Sequence, residues 1–196
     1  MKDFSTNIQK TVASLVRDVV TRNRDIISRR FGLKNGRKET LESIGQGYGI
    51  TRERVRQIEE FTLKQLSKLA AENSDIASYV GWARNFLETS GGIVKEEDLF
   101  KAFSGQSKPS VANASLLFVL AVGGSLTRFQ DSDEFNAFWA TDGHSLNSFV
   151  STASSLVSAL DKNKRVVSVD ELHSFAKKNF VPGFSGNELA KNHVET

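Results

Sequence analysis

The sequence predicts a mainly α-helical protein in which a helix-turn-helix unit is followed by winged-helix repeats with small β-wings, the second repeat incomplete. Three observations carry this expectation. Apolar residues recur at helical spacing through the first third of the chain and stop at turn-forming glycines. Two of the resulting helices are separated only by Gly49-Ile50-Thr51. Further on, a helix, short strand, helix pattern recurs at an offset of 73 residues. The expected domains are 1–72, 75–143 and 145–196.

Ile8, Val12, Leu15, Val16, Val19 and Val20 share helical spacing, and Ile26, Ile27, Arg30 and Phe31 extend an amphipathic pattern to Gly32, which predicts one or two helices. Lys34 to Glu39, with Asn35-Gly36 inside it, is a polar turn, after which Thr40 offers a side-chain oxygen to the free amides of a new helix. That helix is short and ends near Gly49, a residue able to take positive φ. Thr51 caps the next helix, which runs to about Leu69. Helix, tight glycine turn, helix is the helix-turn-helix layout.

The second of these helices separates its chemistry by face. At about 100° per residue, Val55, Ile58, Thr62, Leu66 and Leu69 fall on one side, and Arg52, Glu53, Arg56, Gln57 and Glu60 on the other. Arg pairs bidentately with guanine, Gln with adenine, and Glu accepts from the cytosine amino group, so the outer face suits the major groove. Taken alone, the same face also reads as a solvated helix surface. Charge points the same way as the groove chemistry: Met1 to Leu69 carries 15 Lys and Arg against 8 Asp and Glu, a balance of +7, whereas the remainder balances at −4. A basic segment concentrates polyanions and binds phosphate with release of counterions.

The order of residues is more specific than their charge. Arg30-Phe31-Gly32-Leu33, then Thr40-Leu41-Glu42-Ser43-Ile44-Gly45, then Gly49-Ile50-Thr51-Arg52-Glu53-Arg54-Val55-Arg56-Gln57-Ile58-Glu59 closely resembles region four of the sigma-70 family of RNA polymerase sigma factors, over about Arg22 to Leu69. In that family the second helix reads the upstream (−35) promoter element and the domain docks on the flap of the polymerase β subunit. The resemblance implies that Arg52, Glu53, Arg56 and Gln57 contact bases and backbone, and that Thr51 and Arg54 contact phosphate or fix the helix start. It implies double-stranded promoter DNA and the RNA polymerase core as partners, the β flap seated beside the recognition helix on Phe31, Leu33, Leu63 or Leu66.

Some positions depart from the family pattern. Gly47 and Tyr48 stand where the family has a helix former and a smaller apolar residue, and Gly45 with Gly47 in one short helix is expected to cost on the order of 1 kcal/mol each relative to Ala. Ser43 replaces the usual acidic residue of the capping box, and Phe61 replaces a basic residue used by activators. Nothing resembles the family's aromatic-rich region that opens the −10 element, so this chain alone is not expected to melt a promoter.

In the remainder, Ile93 to Leu99 aligns with Val166 to Leu172, and Val80, Ala83 and Leu87 align with Ala153, Leu156 and Leu160. In the first copy a third helix, Ser110 to Val122, is followed by β-rich runs at Ser125 to Gln130 and Phe135 to Ala140, separated by Asp131-Ser132-Asp133. This order is a winged helix and looks like the HARE-type winged helices and the polymerase delta-subunit domain. The third helix carries no Lys or Arg, which favours core or a protein partner over DNA, and Trp82 and Trp139 read as core residues. The second copy stops at the element corresponding to the third helix. The apolar face of Val150, Leu156, Val157, Leu160, Leu172 and Phe175 is therefore expected to lack a cover, and the natural chain to extend past Thr196.

An enzyme has no support. His144, His173 and His193 show no metal spacing, no phosphate-binding glycine loop or dinucleotide fingerprint is present, and Glu96-Glu97-Asp98 sits at a helix start where it complements the dipole. No catalytic residue, metal, cofactor or small-molecule substrate is expected. The absence of cysteine suits a reducing compartment, and the longest apolar run, Leu116 to Val122, is too short to span a bilayer, so a soluble, cytoplasmic, nucleoid-associated protein is expected. Two functions stay open: a DNA-binding initiation factor or regulator that associates with polymerase, and a region-four mimic that occupies the β flap without reading DNA.

Overall fold

The structure, a computed structural model, describes residues 2–131 and 136–141 and the single positions 151, 154, 158, 168 and 171. The chain forms two compact units, Met1–Ala83 with Glu97–Ser125, and Arg84–Glu96 with Leu126–Thr196. Through residue 131 its helices in chain order are α1 (Lys2–Leu15), α2 (Thr21–Phe31), α3 (Leu41–Tyr48), α4 (Arg52–Ala71), α5 (Ser74–Thr89), α6 (Glu96–Ser104) and α7 (Val111–Gly123). None among the described residues is long and apolar enough to cross a membrane.

The first unit is built around α7. This helix has an apolar residue at nearly every position, and Asn113 to Leu120 are all buried, so it needs neighbours on every side. Helices α1, α2 and α4 pack against it. Phe118 meets Phe31 of α2 edge-on, with ring centroids 5.2 Å apart at 77°. Near its C-terminal end, a β-carbon on Gly123 would fall 2.5 Å from Val80 Cγ2 of α5, so glycine permits that approach. The third helix expected to serve as core or partner surface is core. Trp82 is half-buried beside Phe103, with centroids 5.2 Å apart.

Two sequence expectations shift in this unit. The periodic pattern through Val20 breaks after Leu15, and Val20 lies 70% exposed ahead of α2. On α4, Leu69 is 52% exposed while Ala70 is buried, because Thr62, Leu66 and Ala70 follow one another at four-residue steps on the inward side.

The second unit holds a three-stranded antiparallel sheet in the order β1 (Ile93–Lys95), β3 (Phe138–Ala140), β2 (Thr127–Phe129). Register pairs Val94 with Trp139 and Trp139 with Arg128. Ile93, Phe138 and Ala140 form its core, and Phe129 stacks on Phe138 at 4.7 Å. Trp139 is 2% exposed, as a core residue should be. Glu96, expected only to complement a helix dipole, instead accepts from Arg128 Nη2 at 2.9 Å, from Arg128 Nε, and from Trp139 Nε1 at 3.2 Å. It thereby satisfies a buried indole and a partly buried guanidinium.

Near the C-terminal end of the described residues, the Ser168 amide donates to Glu171 Oε2 at 2.9 Å and the Glu171 amide to Ser168 Oγ at 3.2 Å, a reciprocal cap. The apolar face from Val150 to Phe175, the expected helix at Ser185 to Val194 and the Ser132-Asp133 turn lie outside the described residues.

Because α7 fills the unit that contains the helix-turn-helix, Phe118→Ala is expected to destabilise it by about 3–5 kcal/mol. Urea unfolding followed by helix signal checks this, and amide exchange in α2 and α4 should accelerate together.

Candidate nucleic-acid interface

The interface is positioned by three capped helices. α2 ends at Gly32 (φ 72°), where the Leu33 amide donates back to Ser28 O at 2.9 Å. Thr40 Oγ1 accepts from the Ser43 amide at 3.1 Å to start α3, and Thr51 Oγ1 accepts from the Arg54 amide at 3.1 Å to start α4. Between them Gly49 takes φ 62°, and the Ile50 amide returns to Gly45 O at 3.0 Å. Ile26, Ile44 and Val55 form the buried centre of the three helices, with Leu41, Tyr48, Ile50 and Ile58 around it.

Gly45 has a role that helix propensity alone misses. A β-carbon there would stand 2.7 Å from the Ile50 carbonyl oxygen, so the tight turn between α3 and α4 requires its absence. Gly47 differs, since a β-carbon would meet only the Arg29 guanidinium, at 3.3 Å.

Ion pairs tie α2 to α4 and to the loop ahead of α3. Arg29 donates to both oxygens of Glu39, Nε to Oε1 at 2.9 Å and Nη2 to Oε2 at 2.6 Å, which holds the Glu39 carboxyl below its usual range. Arg30 bridges Glu59 of α4 at 3.0 Å and the Glu39 carbonyl at 2.6 Å. The Tyr48 hydroxyl donates to Asp25 Oδ2 at 2.8 Å, and Arg22 lies over the Tyr48 ring at 5.2 Å. Burial, then the bond to Asp25, raises the tyrosine pKa; the Lys34 hydrogen bond lowers that of Asp25. The tyrosine that looked out of pattern is thus an anchor for α2. Sequence reading missed this network, apart from Arg30 and Glu59 inside the quoted motif, since its partners lie 9 to 29 residues apart.

The structure brings the expected contact residues to one exposed surface. Arg52, Glu53, Arg54, Arg56 and Gln57 are all exposed at the start of α4, and Thr51 caps it. Most of them bond to one another. Arg56 Nε and Nη2 donate to Glu53 at 2.9 and 2.8 Å, and Nη1 pairs with Glu60. Gln57 Nε2 reaches Glu53 at 3.4 Å, and Arg54 Nη1 donates to Gln57 Oε1 at 3.2 Å. The Arg56 pairing lowers the Glu53 pKa and raises that of Arg56.

The four apolar residues expected to seat a polymerase element do not form one open patch. Leu66 is fully buried and Phe31 is partly covered by Phe118, while Leu33 and Leu63 are half-buried.

Residues 20–68 match the family described as Sigma-70, region 4. The chain carries a sigma-70 region 4 domain. The RNA polymerase sigma factor SigA of Microcystis aeruginosa is 39% identical over 79 residues, covering 40% of this chain and 19% of that protein. The RNA polymerase principal sigma factor HrdD of Streptomyces coelicolor is 47% identical over 51 residues, covering 26% of this chain and 15% of that protein. SigA of a Nostoc species is 46% identical over 59 residues, 30% of this chain and 15% of the relative. The chain therefore spans less than a fifth of the length of these curated relatives.

The two glycines of α3 are expected to respond oppositely. Gly45→Ala should destabilise by about 1–3 kcal/mol despite the better helix former, through overpacking at Ile50. Gly47→Ala should be neutral or stabilising by up to about 1 kcal/mol. Thermal and urea unfolding of the two variants check this pair.

Proposed function

We propose that this chain is a DNA-binding transcription initiation factor or regulator that recognises a −35-like promoter element through α3 and α4 and associates with RNA polymerase. The observation that carries the proposal is the exposed face of Arg52, Glu53, Arg56 and Gln57 on a helix whose opposite face is buried and whose start is set by the Thr51 cap. In this role Arg56 and Gln57 read base edges, Arg52 and Glu53 contact bases or backbone, and Arg54 and the Thr51 end contact phosphate. The likeness to sigma factors supports a place in transcription initiation, at the nucleoid of a bacterial cytoplasm. No catalytic step is assigned to it.

Polymerase association is assigned to the β flap through the half-buried Leu33 and Leu63, together with Phe31 and the buried Leu66. The elements of residues 75–143 are assigned to a winged helix: α5, β1, α6, α7, β2 and β3 come in that fold's order, with the hairpin partner β3 central in the sheet. Residues 145–196 are assigned to a partial second copy.

A second reading is favoured by one observation. Arg56 is held between Glu53 and Glu60, so the outer face is partly self-neutralised, as a region 4 mimic that occupies the flap without reading DNA would be.

Binding titrations on a −35-like and a scrambled duplex, with and without core polymerase, separate the two. Arg56→Ala is expected to weaken the preferred duplex by roughly 5- to 150-fold and to relax discrimination at one or two base pairs. Equal loss on both duplexes refutes base reading, and no binding by the wild type even beside polymerase favours the mimic. Leu63→Asp, in a protein that stays folded, should abolish flap binding and leave binding to isolated DNA intact. A pull-down on the isolated flap checks this.

A further inference from the structure

Outside the recognition helix, two loops of the first unit meet. The α2–α3 loop carries Gly36 at φ 77°, buried, and a β-carbon there would stand 2.9 Å from both Cα and the carbonyl carbon of Ser110. Glycine is required on both counts, conformation and space. Ser110 is the N-cap of α7 and ends the α6–α7 loop, so the two backbones touch at this point.

The α6–α7 loop is held in one conformation. Asn113, 1% exposed, donates from Nδ2 to the Gln106 and Lys108 carbonyls, both at 2.9 Å. The Gln106 amide donates to Ser104 Oγ at 3.4 Å, and the Asn113 amide to Ser110 Oγ at 3.2 Å. The buried asparagine uses only the backbone of Lys108, and the lysine side chain is exposed. On the other loop Arg37, next to Gly36, is also exposed, its amide held by Asn35 Oδ1 at 2.9 Å. Lys108 is two residues from the contact, at most about 7 Å of chain, so both cations flank the same junction. Neither forms an ion pair among the described residues. Of the neighbouring carboxylates, Glu39 is engaged by Arg29 and Asp25 by Lys34.

Arg37 lies three residues before Thr40, the cap of α3, the first helix of the helix-turn-helix. In that geometry the first helix crosses the phosphate backbone while the second enters the groove. We propose that Lys108 and Arg37, joined by the Gly36–Ser110 contact, form a phosphate-binding rim through which the α6–α7 loop, outside the region 4 match, extends the DNA footprint. The ligand class is the phosphodiester backbone of duplex DNA, without base preference. The inference rests on the DNA-binding reading above and adds to it a contact from a segment that the family match does not include.

The test uses the full chain and the same two duplexes across a series of salt concentrations. Lys108→Ala is expected to weaken both duplexes alike by about three- to tenfold at low salt, and to reduce the slope of log affinity against log salt by about one unit. Lys108→Glu should weaken both further, and Arg37→Ala should repeat the Lys108→Ala pattern. Because the side chain of Lys108 is solvent-exposed, an unchanged melting curve certifies folding. Wild-type affinity and slope in Lys108→Glu, while Arg56→Ala still relaxes discrimination, overturns the rim and leaves base reading standing. Loss confined to the preferred duplex overturns it as well, since a phosphate contact is blind to sequence. Absence of all wild-type DNA binding overturns both.

Discussion

A helix without a polar face constrains this protein more than any other feature. From Asn113 to Leu120 every residue of α7 is buried, so the chain must surround it, and α1, α2 and α4 do so with their apolar stripes. Each Leu, Val or Phe enclosed there removes apolar area worth roughly 1.5–3 kcal/mol from water, against the entropy of ordering it. The three-helix centre of Ile26, Ile44 and Val55 is small by comparison. The region 4 helices therefore share their stability with a segment that lies outside the matched residues.

Two sets of charges divide the labour around that core. Arg29, Arg30, Glu39 and Glu59 are partly buried and span different elements, so they hold α2 to α4 and to the loop that leads into α3. The pairs on the outer face of α4 are exposed, local to one helix and screened by salt. Pairs of that kind are weakly held. Arg56 can leave Glu53 and Glu60 for a guanine edge with little loss, and while unbound the same pairs limit its rotamers. The pairing that favours the mimic reading is thus also compatible with DNA reading.

Glycine carries three different meanings within a short stretch. Gly49 supplies a left-handed turn, Gly36 a left-handed turn and a close backbone contact, and Gly45 only the missing β-carbon opposite Ile50. Propensity reasoning treats Gly45 as a cost, because it sees the helix and not the carbonyl that approaches it. The role of Tyr48 is hidden from sequence for the same reason: its hydroxyl finds Asp25, 23 residues earlier.

What the sequence by itself determined was local or motif-borne: the Thr40 and Thr51 caps, the Gly49 turn, the opposed faces at the start of α4, the three short strands and the region 4 likeness. These rest on hydrogen bonds and periodicities that close within three or four residues, or on a residue order that can be read directly. Only the tertiary structure decided that α7 lies against α2 and α4, that Leu66 is enclosed while Leu69 is exposed, that Glu96 serves Arg128 and Trp139, and that Gly36 meets the backbone of Ser110. Each of these depends on which apolar face meets which, a choice made by packing between segments distant in the chain, and no spacing along one segment encodes it.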